Sequence, residues 1–420
     1  MCPNGSLPSP GWESFSNLCS STSSNRVGAC FFMRPIYNAQ PIGSIDSLAL
    51  ALGVSRSALT ALATAASSHY STFTIPKKKE LGQVREVCGP SHELKVVQKR
   101  INRMIFEKVT YPAYLFGGVP DTDYFKNAAA HSNARSLIAL DVRNFYGNIS
   151  TKEVLKIFKF FCKFPTDVAQ ILAQLTTKDG WVPQGACTSS HLANLVFFDT
   201  EHRVIREMQQ QGLRYSRLLD DITISSKNSI SPNLTGKIVE KIKVMLADKG
   251  MKLKTKKTRI SSSSNPETLM EVTGLWLNRG IPKVFRSERH EIRAQLFRLE
   301  QLHKVSCTDP SFHDEHNRLS GRVSKVAYVG HFEAEDFRRR LHKILPKYDA
   351  IEVARTVRLV KTICVTPPHL RNSLSYIDKY HKVLYRLGIV GRTNKALSTS
   401  QRALVLKCAP SMSKEDVLYG

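Results

Sequence analysis

The residues best suited to chemistry are three aspartates at the ends of apolar segments. In Leu137-Ile138-Ala139-Leu140-Asp141-Val142 a strand-like run delivers one carboxylate at its end. In Arg214-Tyr215-Ser216-Arg217-Leu218-Leu219-Asp220-Asp221-Ile222-Thr223-Ile224 two apolar-leaning segments flank an Asp-Asp pair, the pattern of a hairpin with two negative charges at its tip. Each site also reads as an ordinary strand end or turn, since Asp tolerates the positive φ that tight hairpins need. Adjacent carboxylates repel, however, and in a basic chain they are natural ligands for a divalent cation. Mg²⁺ takes carboxylate oxygens, keeps waters and accepts substrate phosphates, so one Asp from each of two neighbouring strands is a sufficient protein platform. Two such ions about 3.5 to 4 Å apart can activate a 3′ or 2′ hydroxyl and stabilise a leaving pyrophosphate.

Holding these carboxylates requires strands among helices, and the chain interleaves the two without internal repeat, a mixed α+β or α/β class. Expected strands are Ser136 to Val142, Tyr215 to Leu219, Ile222 to Ser225 and Glu271 to Leu277. Expected helices are Ser47 to Leu52, Ser55 to Leu62 with Ser55 as N-cap, and the basic amphipathic Lys95 to Phe106. Ser150-Thr151-Lys152-Glu153 is a capping-box pattern, Thr166 is read as the cap of a helix through Leu175, and Gly250 ends a helix marked by Ile238, Ile242, Met245 and Leu246.

Lys and Arg number 61 against 35 Asp and Glu in 420 residues, a formal net charge of +26 that calls for an anionic partner. With 42% hydrophobic residues the chain is an ordinary globular protein rather than a disordered polycation. No apolar run approaches the ~18 residues of a spanning helix, so no membrane association is expected. Nine scattered cysteines without a Cys-x-x-Cys pair read as reduced thiols in the cytoplasm. Residues 1 to 42, Ser-rich with a net charge of +1, read as an unstructured leader, and Met33 is a candidate translation start. Residues 337 to 420 hold 17 Lys and Arg against 5 Asp and Glu, so nearly half of the excess lies in the last fifth of the chain. Cys307, His313 and His316 offer an incomplete zinc set that reads better as a polar linker.

In order along the chain, further segments carry a family resemblance. They are Ile75-Pro76-Lys77-Lys78-Lys79 with Arg85, Asn127-Ala128-Ala129-Ala130-His131, Asp141 with Phe145-Tyr146, Val182-Pro183-Gln184-Gly185-Ala186 with Thr188-Ser189, Asp220-Asp221, Gly250 with Lys257-Thr258-Arg259, and Val272-Thr273-Gly274. This series resembles reverse transcriptases over roughly residues 44 to 330, and the Asn-Ala-x-x-His and Val-Thr-Gly elements resemble the retron enzymes in particular.

The resemblance implies a right-hand polymerase, α+β, with fingers, an antiparallel-sheet palm and a helical thumb. Its segments would be a leader (1–42), N-terminal helices and fingers (43–135), a palm (136–270, with fingers helices at 150–180), a thumb and RNA-recognition region (271–336) and a basic extension (337–420). It implies a catalytic triad of Asp141, Asp220 and Asp221, with Asp221 more peripheral and the Val142 carbonyl as a further ligand of a two-Mg²⁺ site. Lys78 and Arg85 would hold the triphosphate of an incoming deoxynucleotide and Tyr146 would exclude a ribose 2′-OH. Gln184 and Gly185 would lie against the nascent base pair, and Lys257 would protonate or neutralise pyrophosphate, a role for which Lys252, Lys254 and Lys256 compete. Asn127, His131, Val272, Thr273, Gly274, Arg286 and Arg289 are expected at an RNA-binding surface, although Glu288 and Glu291 also suit a solvated helix face.

The implied partners are a cognate structured noncoding RNA, serving as template and 2′-OH primer, its branched RNA–DNA product (multicopy single-stranded DNA), and a separate effector protein in phage defence. The chain departs from the family at Leu218 and Leu219, which stand for Tyr and Ala, at Cys187 and Ser190, which stand for prolines, and at Lys254, which stands for a frequent Asn. Two other readings share the acidic motifs: a defence-associated or group II intron-like reverse transcriptase, and a catalytically weakened RNA-binding scaffold.

Overall fold

The computed structural model describes residues 33–76, 82–254, 258–265 and 268–419. Side-chain caps fix where many helices begin. β1 (Ile36–Tyr37) leads to α1 (Ile45–Ala51) and α2 (Arg56–Thr64), whose N-caps Ser44 and Ser55 accept from the backbone N–H groups of Ser47 and Ala58. The leader expected to be unstructured to residue 42 is thus already a strand at Ile36; residues 1–32 lie outside the described part.

β2 (Tyr70–Pro76) and β3 (Val84–Pro90) form an antiparallel hairpin. α3 (His92–Met104), capped by Ser91, buries Leu94, Val97, Gln98 and Ile101 and is followed by β4 (Val109–Thr110), which pairs with β1. α4 (Tyr124–Ala129) precedes β5 (Ser136–Asp141). α5 (Thr151–Lys156) starts at Ser150 as expected and passes into a π-helical stretch, Ile157–Phe161. Three helices follow: α6 (Thr166–Thr176), α7 (Ser189–Leu195) and α8 (Glu201–Gln210). Thr166 is the first helical residue rather than the cap, because Pro165, extended at ψ 154°, holds the cap position.

β6 (Arg214–Leu218) and β7 (Asp221–Ser226) make the expected hairpin, and α9 (Pro232–Ala247) runs toward Gly250, whose φ of +71° reverses the chain. With β8 (Arg259–Ser262) the sheet is antiparallel throughout, in the order β6-β7-β5-β8. The segment expected as one strand over Glu271 to Leu277 is instead a tight hairpin of β9 (Glu271–Val272) and β10 (Leu275–Trp276). Thr273 and Gly274 form its turn at φ +47° and +79°, a conformation a β-branched residue resists. The Thr273 hydroxyl donates to the Tyr124 carbonyl at 2.7 Å and so ties this turn to α4.

α10 (Arg286–Val305), α11 (Pro310–Tyr328) and α12 (Glu333–Lys343) share a core with Leu137, Met270 and Val272. α13 (Ala350–Val365), α14 (Leu374–Val390) and α15 (Lys395–Leu406) enclose another core around Val360, Tyr380 and Val405. α16 (Lys414–Tyr419) packs against α3. The boundary expected at 336/337 falls inside α12, whose Phe337 and Leu341 belong to the core beneath α10 and α11. His313 and His316 sit on α11 rather than in a linker, and their ring nitrogens approach the carbonyls of Lys347 and Leu341. Among the described residues no single helix is long and apolar enough to cross a membrane.

Candidate active site

The three aspartates meet because of strand register. Asp141 ends β5 directly opposite Asp221, the first residue of β7, and Leu218, the last residue of β6, also pairs with Asp221. Leu219 and Asp220 form the turn between β6 and β7. Asp tolerates positive φ, yet it is Leu219 that takes it, at +58°, a conformation costing an ordinary residue about 1–2 kcal/mol. The turn is tied to the end of β5 by the Val142 N–H, which donates to the Asp220 carbonyl at 3.0 Å. The Asp141 carbonyl accepts from the Lys254 N–H at 2.8 Å. Asp141 and Asp220 are half-buried and Asp221 is exposed.

Among the described residues no three His, Cys, Asp or Glu side chains converge as ligands of one ion. The donor set is carboxylates from two paired strands, which fits a hard divalent cation that completes its shell with water and substrate phosphate.

Tyr146 lies within electrostatic reach of Asp220. Its ring meets Phe145 edge-on at 5.9 Å, and Phe145 stacks on Phe197 at 6.2 Å. Burial, with the Asp220 carboxylate nearby, pushes its phenol up to about 12, so it is a neutral hydroxyl at physiological pH. The Arg85 guanidinium on β3 is within electrostatic reach and acts in the opposite sense. Gln184 and Gly185 dock on the same strand: the Cys88 N–H donates to the Gln184 carbonyl at 2.8 Å. Gly185, at φ +113°, approaches so closely that a Cβ would stand 2.7 Å from Val87 Cγ1 and 2.9 Å from the Cys88 oxygen. The structure therefore brings Tyr146 near Asp220 and Arg85 near Tyr146, and docks Gln184 and Gly185 on the strand that carries Arg85. Lys78 and Lys257 lie outside the described residues.

The expected RNA-facing set is corrected. Asn127 and His131 are wholly buried, and Val272 is a core residue. His131 bridges the sheet, with its two ring nitrogens each 2.7 Å from a hydroxyl, of Ser225 on β7 and Ser216 on β6. Burial, helped by Arg214, drives its pKa down to about 3, so the ring stays neutral. Thr273 and Gly274 make the turn held to α4, and the Arg289 guanidinium engages Glu333 on α12. Of this set Arg286 is exposed, with its Nε donating to His290.

The most elaborate polar assembly was not anticipated from sequence. Arg217, fully buried, forks onto Glu201 at the start of α8, Nε to Oε1 at 2.6 Å and Nη2 to Oε2 at 2.9 Å. The Tyr215 hydroxyl donates to the same carboxylate at 2.7 Å. Burial by itself would lower the Arg217 pKa, but Glu201 more than offsets it and the guanidinium stays charged. The available signal was an arginine inside an apolar-leaning strand, which demands a buried acid; the acid lies sixteen positions away.

Residues 75–330 match the protein family described as reverse transcriptase (RNA-dependent DNA polymerase). The retron Se72 reverse transcriptase of Salmonella heidelberg (strain 579083-10) is 36% identical over 379 residues, covering 90% of this chain and 99% of the relative. The retron Ec48 reverse transcriptase of Escherichia coli is 32% identical over 369 residues, covering 84% of this chain and 89% of the relative. A solved structure of apo telomerase from Candida tropicalis gives a TM-score of 0.39 at 12% identity over 83% of this chain and 67% of that one, a likeness too remote to add to these.

Proposed function

We propose, for a chain that belongs to the reverse transcriptase family and to its retron members and is therefore an RNA-directed DNA polymerase, how its residues divide the work. Family membership brings with it an RNA template and a requirement for divalent metal ions. The observation that carries the assignment is the register of β5 against β7, with Asp141 opposite Asp221 and the Val142 N–H on the Asp220 carbonyl.

Asp141, Asp220 and Asp221, with the Val142 carbonyl, are the groups that would hold two Mg²⁺ ions. When bound, these ions supply activation of the priming hydroxyl and stabilisation of the leaving pyrophosphate. Arg85, with Lys78, grips the triphosphate, a task suited to a forked guanidinium and a compact ammonium. Tyr146, uncharged and backed by Phe145, stands where it excludes a 2′-OH, so deoxynucleotides are the substrates. Gln184 and Gly185 position Arg85 by docking on its strand as well as bordering the nascent pair, and Lys257 neutralises pyrophosphate.

The template and primer are one cognate structured noncoding RNA, extended from an internal 2′-OH into a branched RNA–DNA product in the cytoplasm, with a separate effector in phage defence. This finer reading is supported by the identity to two retron enzymes across most of the chain.

The test is to sequence the nucleic acid that co-purifies with the protein and to assay primer extension with Mg²⁺. A DNA joined by a 2′–5′ branch to one RNA is expected from the wild type. It should be absent from the variant carrying Asp220→Asn and Asp221→Asn. Extension by that double variant would overturn the assignment of the acids, and copurified RNA without attached DNA would overturn the retron product.

A further inference from the structure

Arg217 joins the loop before Gly117, the end of α7 and the acidic turn itself. Its backbone N–H donates to the Tyr114 carbonyl at 2.8 Å and its carbonyl accepts from the Phe116 N–H at 2.9 Å, so the loop before Gly117 runs alongside β6. Gly117 lies directly under the turn: a Cβ there would stand 2.5 Å from Leu219 Cγ. The Asn194 side chain holds the Gly117 carbonyl at 2.6 Å. The guanidinium donates to the Ala193 and Asn194 carbonyls at the end of α7, both at 3.0 Å, and lies 5.2 Å from the centre of the Phe197 ring. Its Nη1 also reaches the Leu219 carbonyl at 3.3 Å. One planar charged group, held in a single orientation by the Glu201 fork, thereby touches the residue whose left-handed backbone sets the direction of Asp220.

We propose that the Arg217–Glu201 pair is a positioning device for the nucleotidyl-transfer reaction: it holds Leu219 in its left-handed conformation and so fixes the Asp220 carboxylate relative to Asp141. The inference rests on the assignment of Asp220 as a catalytic acid and adds to it residues that touch neither substrate nor metal. A single-point donor at 217 still neutralises Glu201 but cannot reach Glu201, the end of α7 and the Leu219 carbonyl together. Without the last contact the turn relaxes toward conformations that Leu prefers, and Asp220, the next residue, turns with it.

Two variants test this. Arg217→Lys keeps the charge. The triple variant Arg217→Met, Glu201→Leu, Tyr215→Phe replaces the whole polar cluster by apolar groups, a change that often preserves stability where a buried ion pair serves only the fold. Folded variants are assayed for primer extension at saturating and limiting deoxynucleotide, for the Mg²⁺ concentration giving half the maximal rate, and for affinity toward a template–primer duplex. The expected result is a fall in kcat of about 30- to 100-fold, the scale of a misplacement of about 1 Å. The half-saturating Mg²⁺ concentration should rise while KM for deoxynucleotide and duplex affinity stay close to wild type.

Full kcat in either folded variant would overturn the proposal. So would failure of both to fold, since a requirement of the fold would then account for the pair. Asp220→Asn, run in parallel, separates the two readings. If it is inactive and the Arg217 variants are not, only the positioning role falls; if it is active, the catalytic assignment falls with it.

Discussion

The central sheet and the α10–α12 bundle carry charge in opposite ways. At the sheet, the charged pair of Arg217 on β6 and Glu201 on α8 and the neutral His131 are sealed from solvent, each engaged in several hydrogen bonds. In the bundle, Arg293 and Arg289 meet Glu333, Lys325 meets Glu288, Arg322 meets Glu291 and Arg340 meets Glu300, all with side chains partly in water. A buried network costs desolvation and returns one geometry, while surface pairs are screened and exchangeable. Precision is concentrated beneath the acidic turn. The bundle turns its carboxylates on its own cations, with 12 basic against 9 acidic side chains over residues 286–343. The net positive charge that awaits an anionic partner lies mostly elsewhere, with +8 carried by residues 344–420.

The sharpest way to separate the regions is by activity. Asp220→Asn or Asp141→Asn should lower primer extension by about 10³-fold or more, with a melting temperature close to wild type. Glu201→Gln should lower unfolding free energy by about 3–5 kcal/mol in urea titration, because it leaves the Arg217 charge buried without its counter-charge. His131→Gln should cost about 1–3 kcal/mol by withdrawing the bridge between Ser216 and Ser225.

His131 also sets a pH dependence. Its folded pKa of about 3 lies below the ordinary value of 6.5, so the unfolded chain binds the extra proton. Its contribution is complete above about pH 6.5 and declines as pH falls toward 3. Between pH 7 and 5 the variant should therefore lose less stability than the wild type. Part of the acid slope should remain, because burial also lowers His191, to about 4. The smallest effect belongs to the bundle: Arg340→Gln should cost no more than about 1 kcal/mol, and less at high salt. A loss there as large as that of Glu201→Gln would erase the contrast.

The parts legible in the sequence are those written locally. The apolar run into Asp141 and the hairpin around Asp220 are period and turn signals, and the caps Ser55 and Ser150 are short-range hydrogen bonds. What stayed hidden depends on partners far along the chain. An arginine inside a strand hints at a buried acid but not at Glu201, sixteen positions away, and the burial of His131 between two strands is not written in its neighbours. The break of the Glu271–Leu277 strand at Thr273 contradicts local preference and is compensated by the bond to Tyr124. Charge counting put a boundary at 336/337, yet the apolar spacing of Phe337 and Leu341 joins α12 to the helices before it. Gly185 was expected to make room for a base pair, and the tight approach in the structure is to β3.

The docking of α16 on α3 bears on how the enzyme folds. The two helices are about 300 positions apart, and closing a loop of that length costs roughly 5 kcal/mol of chain entropy unless intervening structure has already shortened it. That contact forms efficiently only after the cores between have condensed. Its formation should be a late kinetic phase that joins the first-described helices to the last and makes the whole described chain unfold together.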